Sequence, residues 1–167
     1  MKTVRAVAAG IAALVLAAGL MAFVRAQDKE TAMPPGMSST MSVHVEHEKV
    51  EAAYKHALPI PDLFTGQSGN AKYRVRASRH DDPTQVEVHT LDTDIFYVTS
   101  GEATFISGGK GVNMKESSPN EIRGTSIEGG TTYHLIKGDV MMVPHGIPHW
   151  FKSIPSAPFL YLEVKVR

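Results

Sequence analysis

The chain has 167 residues, enough for one domain of ordinary size and too few for two. Lysine and arginine total 17, as do aspartate and glutamate, so there is no concentrated positive charge for a nucleic-acid backbone or an anionic membrane surface. The absence of cysteine excludes disulfides and lipid attachment at cysteine, and leaves packing, with or without a metal, to hold the fold.

Residues 1–26 have the layout of a secretory signal peptide. Lys2 and Arg5 make a short basic start, Ala6 to Ala22 is apolar, and Val24-Arg25-Ala26 offers a small-residue cleavage site before Gln27. The alternative is an uncleaved membrane anchor, for which the run falls slightly short of the roughly 20 apolar residues of a comfortable span. Cleavage removes Lys2, Arg5 and Arg25 and no acid, so the mature chain is acidic overall. The expectation is an exported protein, periplasmic or extracellular, whose partner is a small soluble ligand, with no nucleic acid and no membrane after cleavage.

Residues 27–42 are rich in Met, Pro, Ser and Thr, show no period, and read as a flexible linker. Met33, Met37 and Met41, followed by His44 and His47, offer soft donors for Cu(I) as an alternative. Pro34-Pro35-Gly36 prevents a helix from stacking those methionines on one face. The domain proper spans 43–167. It opens with a helical pattern over Glu48 to Ala57, where Val50, Ala53, Tyr54 and Ala57 share a face and Pro59 and Pro61 end it.

Beyond Gly69 the pattern is that of strands. Lys72 to Ser78 alternates, with Tyr73, Val75 and Ala77 on one face and Arg74 and Arg76 on the other. Asp81-Asp82-Pro83 makes a turn. Val86–His89, Ile95–Thr99, Ala103–Ile106, Thr131–Ile136, Val140–Val143, His149–Ser153 and Phe159–Val166 are further short runs punctuated by Gly and Pro. Such a series predicts a sandwich, barrel or jelly roll. Ser107 to Gly111 reads as a loop; its glycines and lysine are not a phosphate loop, because no Ser or Thr follows and no helix is due. Ser117 to Glu128 reads as a long polar connection, a surface loop or a lid. His80 reads as a loop residue and His145 as exposed in a tight turn. His134 lies on a strand, facing either a pocket or solvent.

The stretch GDVMMVPHGIPHW, Gly138 to Trp150, carries the most specific signal. Gly138, Pro144, Gly146 and His149 have the spacing of the second signature motif of the cupin superfamily, with Ser153 where that motif has asparagine. Counting back from Gly101, an altered first motif follows. Asp94 stands at the glutamate position, His89 at the second histidine and Glu87 at the first, with Asp81 in place of the opening glycine. The chain resembles the cupin superfamily from about Tyr73 to Val166.

That resemblance implies an all-β fold, a cupin double-stranded β-helix (jelly-roll barrel) with a short N-terminal helix, and a homodimer. It also implies a contest in Gln85-Val86-Glu87-Val88-His89. Alternation alone puts the valines inside and the charges out, whereas the resemblance turns Glu87 and His89 into the barrel and packs the valines outside it. Asp94 inward then brings Phe96 and Val98 inward below it. Glu87, His89, Asp94 and His149 would together hold a divalent transition metal, Fe, Mn, Ni, Cu or Zn. Aspartate is one methylene shorter than glutamate, so either Glu87 or Asp94 is the working carboxylate. For His149 the alternative is a satisfied core histidine. Two functions follow: a metal-dependent exported enzyme, such as an oxygenase or isomerase of a small acid or sugar with Glu87 as catalytic base, or a non-catalytic ligand-binding or sensing barrel.

Overall fold

A computed structural model describes residues 42–56 and 60–167. The leader and the methionines of the linker lie outside the described residues. The helix α1 spans His47–Ala53 and is capped at Tyr54, shorter than its sequence pattern, whose last member Ala57 also lies outside the described residues. Its apolar side does what the period demands: Ala53 and Tyr54 pack on Ala77, with Val50, Leu63, Leu160 and Leu162 around them. The Tyr54 hydroxyl lies 3.2 Å from Thr99 Oγ1. Among the described residues no helix is long and apolar enough to cross a membrane.

Eleven strands follow: β1 Asp62–Ser68, β2 Ala71–His80, β3 Val86–His89, β4 Thr93–Ser107, β5 Lys110–Val112, β6 Lys115–Ser118, β7 Glu121–Gly124, β8 Ser126–Glu128, β9 Thr131–Ile136, β10 Val140–Val143 and β11 His149–Val166. The two runs expected around Gly101 are one strand, β4, as are the two runs either side of Pro155, β11. Gly101 lets β4 bend instead of ending. Its φ is +79°, and a Cβ there would lie 2.5 Å from the Pro158 carbonyl oxygen.

The polar connection expected over Ser117 to Glu128 is instead built of strands β6, β7 and β8, and Lys110 to Val112 is strand rather than loop. These segments lack apolar alternation because β6 is fully exposed and pairing, not burial, holds it. Strand β1, too, was not anticipated; with Thr65, Gly66 and Gln67 at its centre it has little strand character of its own and is held by β2.

Strands β1, β2, β11, β3, β7 and β6 run side by side in that order, and β4 joins β11 to β9 and β10. Every strand pairing among the described residues is antiparallel. Strand β11 is the seam: its first part pairs with β3 and the far end of β4, its second with β2 and the near end of β4. This curled antiparallel sheet is a double-stranded β-helix, the barrel expected from the sequence. One end of the barrel is plugged by Phe96, Val98, Phe105, Leu135, Val143, Phe151, Phe159 and Tyr161. Phe96 lies edge-on to both Phe105 and Tyr161, with ring centroids 5.9 and 5.0 Å away. The other end holds the polar pocket.

Because Phe96 is 2% exposed and sits at the centre of that plug, truncation leaves a cavity its neighbours cannot fill. Phe96→Ala should cost about 3–5 kcal/mol in urea unfolding followed by tryptophan fluorescence. A loss below about 1 kcal/mol would mean that the plug is not the core of the barrel.

Candidate metal centre

Strand register builds the site. On β3, Val86 and Val88 are buried on one face while Glu87 and His89 line the pocket on the other, the orientation implied by the family resemblance. Glu87 stands opposite His149 on β11 and opposite Arg123 on β7. Asp94 on β4 stands opposite Lys165 on β11. The second motif supplies the turn that delivers His149. Gly146 has φ +79° and donates its N–H to the His89 carbonyl at 2.8 Å, so the turn is tied to the strand whose histidine it faces. His149 then enters β11 buried, its Nδ1 donating to the Ile147 carbonyl at 3.1 Å. That bond leaves Nε2 as a lone pair facing Glu87 Oε2 and Asp94 Oδ2, at 4.0 and 3.7 Å.

The donor atoms of Glu87, His89 and His149 all lie within 4.8 Å of one another. The His89 and His149 rings are 5.2 Å apart between centroids. Two imidazoles and one carboxylate are a set that first-row transition metals accept. Burial lowers the His149 pKa, which keeps the ring neutral and its Nε2 free for a metal. Burial works against a charged Glu87, but His89, Arg123 and His149 outweigh it and hold the carboxyl down, at about 2. Glu87 is therefore ionised at any ordinary pH, a ready ligand and a weak proton acceptor. The Arg123 guanidinium grips its Oε1 at 2.8 Å, leaving Oε2 facing the histidines.

Asp94 is brought to the same place, its Oδ2 3.2 Å from His89 Nε2 and 3.7 Å from His149 Nε2. Both of its oxygens, however, accept from Lys165 Nζ, at 2.7 and 2.8 Å. Burial opposes its charge, and His89 and Lys165 prevail and lower its pKa. Lys165 Nζ also lies 2.8 Å from His89 Nε2. Burial opposes a charged His89 ring as well, while hydrogen bonds with Asp94 and Glu87 favour it and raise its pKa. Two charged donors cannot share a 2.8 Å N···N contact, so a single proton serves it. The lysine's two further bonds to Asp94 hold Nζ against the Nε2 edge of His89.

Lys165 and Glu163 were not among the residues singled out by the motifs. Their signal is the alternation in Phe159-Leu160-Tyr161-Leu162-Glu163-Val164-Lys165-Val166. Glu163 and Lys165 fall in phase with the buried aromatics and out of phase with the leucines and valines. Glu163 is 6% exposed, 3.4 Å from Lys165 Nζ and 3.6 Å from Arg76, and its Oε2 has no hydrogen-bond partner among the described residues. Burial pushes its carboxyl pKa up. His80 is not a loop residue: it ends β2, lines the pocket and meets the Tyr161 hydroxyl at 2.9 Å. His134 is exposed beside Glu102 and His145 is exposed in its turn, so neither takes part in the site.

The pocket above these groups has a volume of about 550 Å3, and its walls include Arg74, Arg76, His80, Glu87, Arg123 and Glu163. No family model matches the chain, and no curated protein matches it in sequence. Among solved structures, a protein of Bacillus halodurans is similar at a TM-score of 0.50 and 10% identity, over 77% of this chain and 84% of that one. An uncharacterised conserved protein with a double-stranded β-helix domain from Klebsiella pneumoniae subsp. pneumoniae gives a TM-score of 0.42 and 18% identity, over 77% and 90% of the two chains. A mutant of Bacillus subtilis oxalate decarboxylase gives 0.37 and 20% identity over 58% of this chain, which spans 22% of that enzyme's length. The likeness at a TM-score of 0.50 speaks to the fold and not to an activity.

The low pKa of Glu87 carries a consequence for stability. A carboxyl moved from 4.5 to about 2 on folding contributes stability that is fully present above pH 4.5 and is lost as the pH falls toward 2. Its contribution at neutral pH is on the order of 2–3 kcal/mol. Glu87→Gln should lower the urea midpoint at pH 7 and flatten the fall in stability between pH 5 and 2. An acid-unfolding curve as steep as that of the wild type would mean that Glu87 is not held by its cationic neighbours.

Proposed function

We propose that the mature chain is an exported cupin barrel that binds a small molecule at a divalent transition-metal centre held by Glu87, His89 and His149. The observation that carries this is the convergence of these three donors, from β3 and the start of β11, beside a pocket that Glu87 and His89 line. A metal bound there would act as a Lewis acid toward the oxygens of the ligand. Arg123 fixes Glu87 as an ionised ligand. Glu163, whose burial favours the protonated form and whose Oε2 has no hydrogen-bond partner among the described residues, is better suited than Glu87 to carry a proton to or from the ligand. Charge favours a small acid over a sugar. Glu87 is matched by Arg123 and Asp94 by Lys165, so an added dication has no counter-charge in the site until an anionic ligand supplies it. An oxygenase or isomerase of such an acid is the reading in the enzyme class.

The second reading, a binding or sensing barrel without turnover, is favoured by one observation: Lys165 already engages His89 and Asp94. Metal analysis separates the two. Mature protein produced with Fe, Mn, Ni, Cu and Zn present should retain about one equivalent of one of them. His149→Ala should weaken its binding by more than about a hundredfold, beyond the loss typical of removing a residue that only orients a ligand. Protein that takes up none of these metals, or a His149→Ala variant that binds normally, would leave the binding barrel as the better account.

We further propose cleavage after Ala26 and association as a homodimer. Val86 and Val88 are covered by the chain itself, so that face makes no demand for a partner. The apolar surface left open is on the β4–β10 face, where Tyr97, Val140 and Met142 are 48%, 67% and 62% exposed and share one side by register. Protein recovered from a bacterial periplasm should begin at Gln27 and have twice the mature mass by light scattering. A full-length membrane-bound species would count against export, and a monomeric mass against the dimer.

A further inference from the structure

We infer that Lys165 is a tethered cation that occupies the metal centre in the metal-free protein and has to release His89 before a metal can bind. The inference rests on the metal reading above and concerns a residue outside that donor set. It starts from register: β11 is the strand that pairs with β4 at Lys165 and Asp94, and the alternation that buries Phe159 and Tyr161 turns Lys165 the same way. An ammonium has three protons to give. Two go to Asp94, Oδ1 at 2.7 Å and Oδ2 at 2.8 Å, and Nζ lies 2.8 Å from His89 Nε2. The side chain is 7% exposed, so little water competes.

The Nε2 edge of His89 that Lys165 Nζ faces at 2.8 Å is the one that a metal would need. Lysine and metal therefore exclude one another at His89, while Glu87 Oε2 and His149 Nε2 stay available to either state. Only the His89 contact has to break. The flexible four-carbon stem can turn the ammonium off the imidazole and keep it on Asp94. The lysine also explains why a buried carboxylate and two buried imidazoles are tolerated without a metal: it supplies the positive charge that the cluster requires.

The test uses the mature chain stripped of metal, titrated with Zn2+ and with Mn2+ by calorimetry. Lys165→Met keeps the stem and removes the charge, and should tighten metal binding by about tenfold or more, given the cost of a like charge at contact range. The metal-free variant should melt lower than the wild type, and metal should raise its melting temperature by more than it raises that of the wild type. A lysine with a merely structural role would lower both melting temperatures together. If Lys165→Met does not fold, Asp94→Asn alone is compared with the double variant Asp94→Asn/Lys165→Met, and the double variant should bind the tighter. A wild type that binds no metal beside a variant that does would support the exclusion at His89 and overturn the metal reading for the wild-type chain. Equal or weaker binding by the lysine-free protein overturns the inference and leaves the metal reading standing. No binding by either overturns both.

Discussion

An ionised group buried without a partner is among the costliest things a fold can contain. The pocket end of this barrel buries Asp94, Glu163 and Lys165 together with His89 and His149. That arrangement is possible only because each acid meets a base across a strand boundary. Asp94 meets Lys165 between β4 and β11, Glu87 meets Arg123 between β3 and β7, and Glu163 lies opposite Arg76 between β11 and β2. A slip of one residue in any of these ladders would turn one partner out of the barrel and strand the other. The charges thus specify the register of the strands, and the register in turn makes the site.

The two ends of the barrel divide the work. The aromatic plug removes large apolar surfaces from water and supplies the net stability, since buried ion pairs rarely add much. Phe105 touches both parts: its ring lies 4.8 Å from that of Phe151 in the plug and 6.0 Å from that of His149 in the site. The second-motif histidine is consequently positioned from below by packing and from behind by the Ile147 carbonyl. A side chain restrained on two sides presents its free nitrogen with little conformational freedom left to lose on binding.

Much of this was legible in the sequence because it depends on spacing. The turn from Pro144 to His149 and the placement of His89 and Asp94 are countable, and the inward direction of Glu87 and His89 followed from setting those counts against the alternation of the valines. What escaped the sequence has a common physical character. Strands β1 and β6 have no apolar period, because they are edge elements held by backbone pairing with a neighbour, and β7 between β3 and β6 is a short strand led by polar residues. Arg123 was hidden for that reason, inside a segment that resembled a loop. His80 was hidden by the neighbouring Asp81-Asp82-Pro83 turn, which falls just after the strand instead of including it. Lys165 was hidden differently: its alternation was visible, but a lysine between valines near a chain end reads as a solvated edge until the aromatics in phase with it are noticed.

The departures from the family motif are therefore not independent of the residues the motif omits. A glutamate at the first histidine position adds a negative charge where the motif has a neutral donor. An aspartate at the glutamate position sets its carboxylate back toward its own strand. Arg123 answers the first change at 2.8 Å, and Lys165 fills the space beside the second, spanning both oxygens of the shorter acid. With each acid matched, His149 keeps its Nε2 turned toward Glu87 and Asp94, at 4.0 and 3.7 Å. An altered first motif need not be a decayed one. Here two substitutions and two added cations form one electrostatic unit, in which the identity of the residue at 165 matters to the chemistry of residue 89 as much as the motif itself does.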